Sequence, residues 1–182
     1  MTPAEKKNKE IIKRLFSPDE KVVIRTITEI REQGTAALIP AILEIYRSTS
    51  SPVIRMQIQR LLTDLKNQEA AGPLTEEIFK ISNPELKRAL MAACWQSGLD
   101  FSPFLKKFFK SLLTEDYVIA LEAFSVIENN LNPLDKLQLQ FYYDYLSEHM
   151  DHCSPVTRPL TRQLEQIITD TIRSFDMDDY EM

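Results

Sequence analysis

Apolar residues recur along this chain at intervals of three and four, the spacing that places side chains on one face of an α-helix. The segment 101–113 is the clearest case. There an apolar stripe lies opposite three lysines: Phe101, Phe104, Leu105, Phe108, Phe109, Leu112 and Leu113 against Lys106, Lys107 and Lys110. No segment alternates apolar and polar residues with the period of a strand. The pattern predicts an all-α protein.

Prolines mark the predicted helix starts. Eight of the ten prolines follow a small or capping residue: Thr2-Pro3, Ser17-Pro18, Ser51-Pro52, Gly72-Pro73, Asn83-Pro84, Ser102-Pro103, Asn132-Pro133 and Ser154-Pro155. Such pairs favour a first turn, because the side chain accepts a free N–H and proline has none. With Thr35 and Thr114, they predict about ten helices, over 3–16, 18–33, 36–48, 52–68, 73–82, 84–98, 103–113, 115–130, 133–149 and 155–175. Pro40 and Pro159 should kink their helices or move the starts later.

Two of these helices carry unusual apolar surfaces. Residues 117–127 are apolar nearly all round, so we expect this helix to be buried on most sides. The helix 133–149 contains five consecutive residues of which four are aromatic, and these cannot all face one core.

For that aromatic run we expect Phe141 and Tyr145 to join Leu134 and Leu137 in the core. That leaves Tyr143 or Tyr142 to meet the C-terminal helix or an outside partner, since exposed tyrosines are common interface anchors.

Length and composition predict one globular domain. The chain has 182 residues, of which 43% are hydrophobic and 27% charged. No apolar run approaches the roughly 18 residues that span a bilayer, and residues 1–7 carry no export signal, so we expect no membrane segment and a cytoplasmic protein. Cys94 lies in an apolar run and is expected to be a buried thiol, not bonded to Cys153.

The charge is distributed unevenly. Residues 1–100 carry 15 basic and 13 acidic side chains, whereas residues 101–182 carry 7 basic and 14 acidic ones, for a net charge of -5. Phosphate binding needs clustered Lys and Arg, so this balance argues against nucleic acid as the partner.

The helix starts recur at a fixed interval. Ser17-Pro18 is followed 34 residues later by Ser51-Pro52, then after 32 by Asn83-Pro84 and after 32 by Glu115-Asp116. An interval of this size indicates a helical repeat array, in which each helix pair buries its apolar face against the next.

The residues of this repeat resemble the HEAT-type helical repeat. The resemblance covers roughly residues 18–130 and rests on 19–25, DEKVVIR, and 36–43, AALIPAIL. The Val-x-Arg ending recurs at Val53-Ile54-Arg55 and, degraded, at Leu86-Lys87-Arg88. The resemblance implies a right-handed α-α superhelix over residues 1–175. Helices 3–16 and 155–175 would cap its ends, and residues 176–182 would form a flexible acidic tail.

The resemblance also implies where a partner would bind. The second helix of each pair would line the concave face of the array. The polar residues that this places there, together with two tyrosines, are the candidates: Glu44, Arg47, Glu76, Glu77, Lys80, Lys106, Lys107, Lys110, Tyr142 and Tyr143. The function expected by analogy is a non-catalytic adaptor that holds a protein or peptide without any cofactor.

The sequence contains few residues from which an enzymatic or metal site could be built. His149, His152 and Cys153 have helical spacing, but no second ligand pair accompanies them, and structural zinc needs four ligands. Three isolated glycines cannot form a phosphate-binding loop.

Two other functions stay open. One is nucleic-acid binding, on a scaffold that resembles the HEAT-like alkylpurine DNA glycosylases. The other is a structural role as a homodimer through exposed aromatic residues.

Overall fold

The computed structural model describes residues 2–33 and 36–178. Within these ranges every regular element is helical and none is a strand, as predicted. The ten α-helices are α1 (Pro3–Leu15), α2 (Glu20–Gln33), α3 (Ile39–Ser48), α4 (Pro52–Thr63), α5 (Ala71–Ile78), α6 (Pro84–Ser97), α7 (Leu105–Thr114), α8 (Tyr117–Glu128), α9 (Lys136–His149) and α10 (Arg158–Asp178). None of the described helices combines the length and apolar character needed to cross a bilayer.

Three helices start at the predicted capping residues, Thr2, Ser51 and Asn83. Each side-chain oxygen accepts a hydrogen bond from the backbone N–H three residues on, at 3.2, 3.3 and 3.0 Å. Glu5 returns a bond to the Thr2 N–H at 2.7 Å and completes a capping box.

Three other predicted starts, at Ser17, Thr114 and Asn132, are wrong. In each case an aspartate two or three residues later caps the helix: Asp19 for α2, Asp116 for α8 and Asp135 for α9. A carboxylate bonds the free N–H groups more strongly than a neutral side chain and favours the positive end of the helix dipole.

The two interior prolines move their helix starts later, as predicted. Pro40 and Pro159 are each the second residue of a helix, α3 and α10, where no intrahelical partner is lost. The Ser154-Pro155 pair therefore lies in a turn before α10, and the Gly72-Pro73 pair lies inside α5. Thr35 falls outside the described residues.

The chain divides into two compact units, Met1–Leu99 and Asp100–Met182. In the first unit α2 packs against α4 and α4 against α6, while α3 packs against α1 and α5. Its six helices thus form two layers of three. The side chains buried in this unit are mainly aliphatic, among them Ile27, Leu43, Ile58, Leu62, Leu74 and Leu90. One continuous array over residues 1–175 stays a prediction.

In the second unit α7 packs against α8 and α9 against α10, and α10 also contacts α7 and α8. Its core includes the rings of Phe101 and Phe108, which meet edge to face at 6.0 Å. α10 continues to Asp178, so the predicted tail begins as helix. The remaining tail residues, 179–182, lie outside the described part of the chain.

α8 is less buried than predicted. Tyr117, Val118 and Leu121 are 43%, 48% and 39% exposed, whereas Ala123 and Ile127 are buried. A helix that is apolar all round carries no signal for which side its neighbours cover, and in this unit one side is left in solvent.

A buried asparagine ties the start of the second unit to α8. Asn130 is 4% exposed, its Oδ1 accepts the Phe101 N–H at 2.7 Å, and its Nδ2 donates to the Val126 carbonyl at 2.7 Å. A buried polar group without a partner is costly. The two bonds of Asn130 therefore stabilise this part of the unit by pairing one backbone N–H and one backbone carbonyl.

We expect Asn130→Ala to lower the free energy of unfolding by about 2 kcal/mol, because it leaves the Phe101 N–H without its bond. Denaturant unfolding measures the change. The matched control is Asn129→Ala, since exposed Asn129 makes only a bond to its own helix, at 2.8 Å to the Ser125 carbonyl. Equal effects of the two substitutions would contradict the assignment.

Candidate partner-binding surfaces

Four of the predicted binding residues form one ion-pair network that joins α3 to α5. The Nη2 of Arg47 lies 3.1 Å from Glu44 Oε2 and 3.1 Å from Glu77 Oε2, and Lys80 Nζ lies 2.7 Å from Glu77 Oε1. The Glu77 side chain is only 11% exposed. These charges are engaged with one another across two neighbouring helices of the first unit.

The network affects the ionisation of Glu77. The hydrogen bond from Lys80, with the charges of Lys80 and Arg47, holds the pKa of the Glu77 carboxyl below its ordinary value of 4.5, although burial acts in the opposite direction. Glu76, the preceding residue of α5, is exposed.

The three predicted lysines lie on the polar side of α7. Lys106 and Lys110 are exposed and Lys107 is half-buried. The opposite side of the helix is buried through Leu105, Phe108, Phe109 and Leu112, so the amphipathic pattern is confirmed.

The structure brings Tyr142 to this lysine-bearing helix. Its ring stacks on that of Phe109, with centroids 4.4 Å apart and planes at 7°. Burial raises the pKa of the Tyr142 phenol, and a hydrogen bond with the backbone of Lys106 lowers it in part. Tyr145 meets the same Phe109 ring edge-on at 6.3 Å. Tyr142 is thus a half-buried contact between α7 and α9.

The prediction that Leu137 and Phe141 lie in the core is wrong. Leu137 is 83% exposed and Phe141 is 52% exposed, whereas Leu139 and Leu146 are fully buried. Two apolar stripes compete on this helix. The stripe through Leu139, Tyr142 and Leu146 faces the core, and the other stripe is left in solvent.

A groove runs beside the two exposed side chains. It has a volume of about 370 Å³ and is lined by Ser102, Leu134, Asp135, Leu137, Gln138, Phe141 and Tyr142. Ser102 lies one helical turn before Lys106, and Tyr142 bonds the backbone at Lys106. The start of α7 at Lys106 therefore lies next to the groove, and Lys110 follows one turn later on the same helix.

Tyr143 lies on another side of α9. With Gln140 it lines a small apolar cleft of about 210 Å³, completed by Thr169, Ile172 and Arg173 of α10. Contact of an aromatic residue with the C-terminal helix was one of the two predicted outcomes for this run.

The three residues with metal-ligand spacing, His149, His152 and Cys153, lie in different surroundings. His149 Nδ1 lies 2.8 Å from the Tyr145 carbonyl, His152 is exposed, and the buried Cys153 thiol lies 3.1 Å from Thr157 Oγ1. Among the described residues, no group of three or more His, Cys, Asp or Glu side chains is placed to hold a metal ion. Both Cys94 and Cys153 are free thiols.

Comparison with protein-family models and with curated proteins finds no match for this chain. The binding surface is therefore judged from its own geometry.

Leu137 and Phe141 are the surface residues that the sequence prediction missed. One local signal could have corrected the predicted start of this helix. Asp135-x-x-Gln138 has capping-box spacing, and both of its bonds are present, at 2.8 and 3.0 Å. If the helix is capped at Asp135, Leu134 lies before α9. It then does not belong to the apolar stripe of α9 that contains Leu137.

We expect Glu77→Gln to lower the free energy of unfolding by about 1 kcal/mol near neutral pH. Because the folded-state pKa of Glu77 is lowered, its stabilisation is present above 4.5 and is lost as the pH falls through the folded-state value. The gap between wild type and variant should therefore close below about pH 4.5. Denaturant unfolding at several pH values measures this gap. Glu32→Gln is the control, since Glu32 is an exposed glutamate of the same unit, and a gap that is constant with pH would contradict the network.

Proposed function

We propose that this chain is a non-catalytic, HEAT-like helical-repeat adaptor of the cytoplasm that binds a protein or peptide segment without a cofactor. The binding site is the α7–α9 surface, which consists of Lys106, Lys110, Leu137, Phe141 and Tyr142. The remaining predicted residues on α3 and α5 have a structural role in this proposal.

The exposure of Leu137 and Phe141 carries the proposal. The two side chains lie one turn apart on α9, at 83% and 52% exposure, beside a groove of about 370 Å³. Contiguous apolar surface with a polar rim is typical of sites that bind another protein. Aromatic anchors at the centre of such a site supply most of the binding free energy.

The two-layer packing of the first unit supports the HEAT-like part of the proposal. α2, α4 and α6 form one layer and α1, α3 and α5 form the other, which is the arrangement expected when helix pairs stack. The starts of α2, α4 and α6, at Glu20, Pro52 and Pro84, recur every 32 residues, which agrees with it.

The ion-pair network favours the α7–α9 surface over the polar residues of the first unit. Arg47 and Glu77 bond each other across α3 and α5, so a partner would have to break a partly buried pair to use them. Leu137 and Phe141 lose only contact with water when they are covered.

We expect Phe141→Asp and Leu137→Asp each to weaken capture of a specific partner from native cell extract by about tenfold or more, since interface anchors contribute on the order of 2 kcal/mol. Quantitative mass spectrometry of the captured proteins measures the loss. Both positions are exposed, so the melting temperatures should change little.

Val118→Asp is the matched control, because Val118 is a similarly exposed apolar residue on α8. Partner capture that survives both α9 substitutions, or that is lost equally in the control, would rule out the proposed site.

A further inference from the structure

We infer that the occupant of the α7–α9 surface is an acidic segment with two apolar residues one helical turn apart. This inference rests on the proposed function and specifies the class of partner.

Two exposed lysines of α7, Lys106 and Lys110, belong to this surface, within a half of the chain that is otherwise acidic. Residues 101–182 contain only seven lysines and arginines among 14 acidic residues. Four of the seven lie on α7 or in the first turn of α9, namely Lys106, Lys107, Lys110 and Lys136. Lys107 and Lys136 already interact within the chain, so the patch that meets a partner consists of Lys106 and Lys110. A local basic patch within an acidic half of the chain selects a partner of opposite charge.

Lys106 and Lys110 are placed to meet such a partner. Both are exposed and lie one turn apart on α7, and Lys106 adjoins Tyr142, which lines the groove. No ion pair is formed by either ammonium group within the described ranges, so each can bind an incoming carboxylate without breaking an internal one.

The one acidic residue that lines the groove has its charge engaged within the chain. Asp135 Oδ1 accepts the Gln138 N–H at 2.8 Å and lies at the positive end of the α9 dipole. Its carboxylate therefore opposes an acidic partner less than a free aspartate would.

The apolar part of the site sets the second requirement. Leu137 and Phe141 are separated by four residues, a spacing that matches apolar residues at i and i+4 of a docking helix. A groove of about 370 Å³ holds a few side chains, as a short docking segment presents them. The recognised element is therefore a short segment.

Two synthetic peptides test the inference by fluorescence anisotropy with the full chain. Both have about fifteen residues, roughly four helical turns, with Leu and Phe one turn apart. The other positions are mainly Glu in the first peptide and mainly Lys in the second. We expect the Glu peptide to bind at least about tenfold more tightly than the Lys peptide, with an affinity that falls as salt rises.

Variants locate the bound peptide. The double change Lys106→Glu, Lys110→Glu and the single change Phe141→Asp should each weaken the Glu peptide by about tenfold. Arg162→Glu is the matched control, because Arg162 is an exposed cation of α10 in the same unit, and it should leave the affinity within about twofold.

Other outcomes would overturn the inference. These are equal or stronger binding of the Lys peptide, no binding of either peptide, and displacement of the Glu peptide by a DNA duplex. Sedimentation that shows a dimer lost in Phe141→Asp would instead identify a second copy as the occupant. In each case the proposed function would still hold if a native partner were captured by the wild type and lost in Phe141→Asp. Failure of the acidic-segment inference can therefore be distinguished from failure of the proposed function.

Discussion

The stack of Tyr142 on Phe109 determines which side of α9 faces water. The rings lie nearly parallel, with centroids 4.4 Å apart. An aromatic pair of this kind contributes about 1 kcal/mol beyond its burial. If α9 turned by one residue to bury Phe141, this stack would be lost. Leu139 and Leu146 are buried on the same side of α9 as Tyr142, and Leu137 and Phe141 on the other stripe face water.

The elements of the fold were largely predictable from the sequence, because helix periodicity and proline position are local signals. Ten helices, the amphipathic α7 and the later starts at Pro40 and Pro159 all follow from residues within one or two turns of each other. The phase of α9 was not predictable in this way. Two apolar stripes compete on it, and a ring on another helix, Phe109, decides between them.

The candidate site was predictable only in part for the same reason. The lysines of α7 and the importance of the tyrosines could be deduced from spacing. The bond between Arg47 and Glu77 could not, since the two residues are 30 positions apart and only tertiary packing joins them. Similar residue types thus have different roles in the two units, with paired charges in one and exposed cations beside apolar side chains in the other.

Site-directed photo-cross-linking tests the binding surface most directly. Leu137 is replaced by p-benzoylphenylalanine in the living cell, with the same replacement at Val118 on α8 as the reference position, since both side chains are exposed. We expect position 137 to yield one discrete cross-linked protein that is lost with Lys106→Glu and Lys110→Glu, and position 118 not to yield it. The same product from both positions, or none from position 137, would contradict binding at the α7–α9 surface.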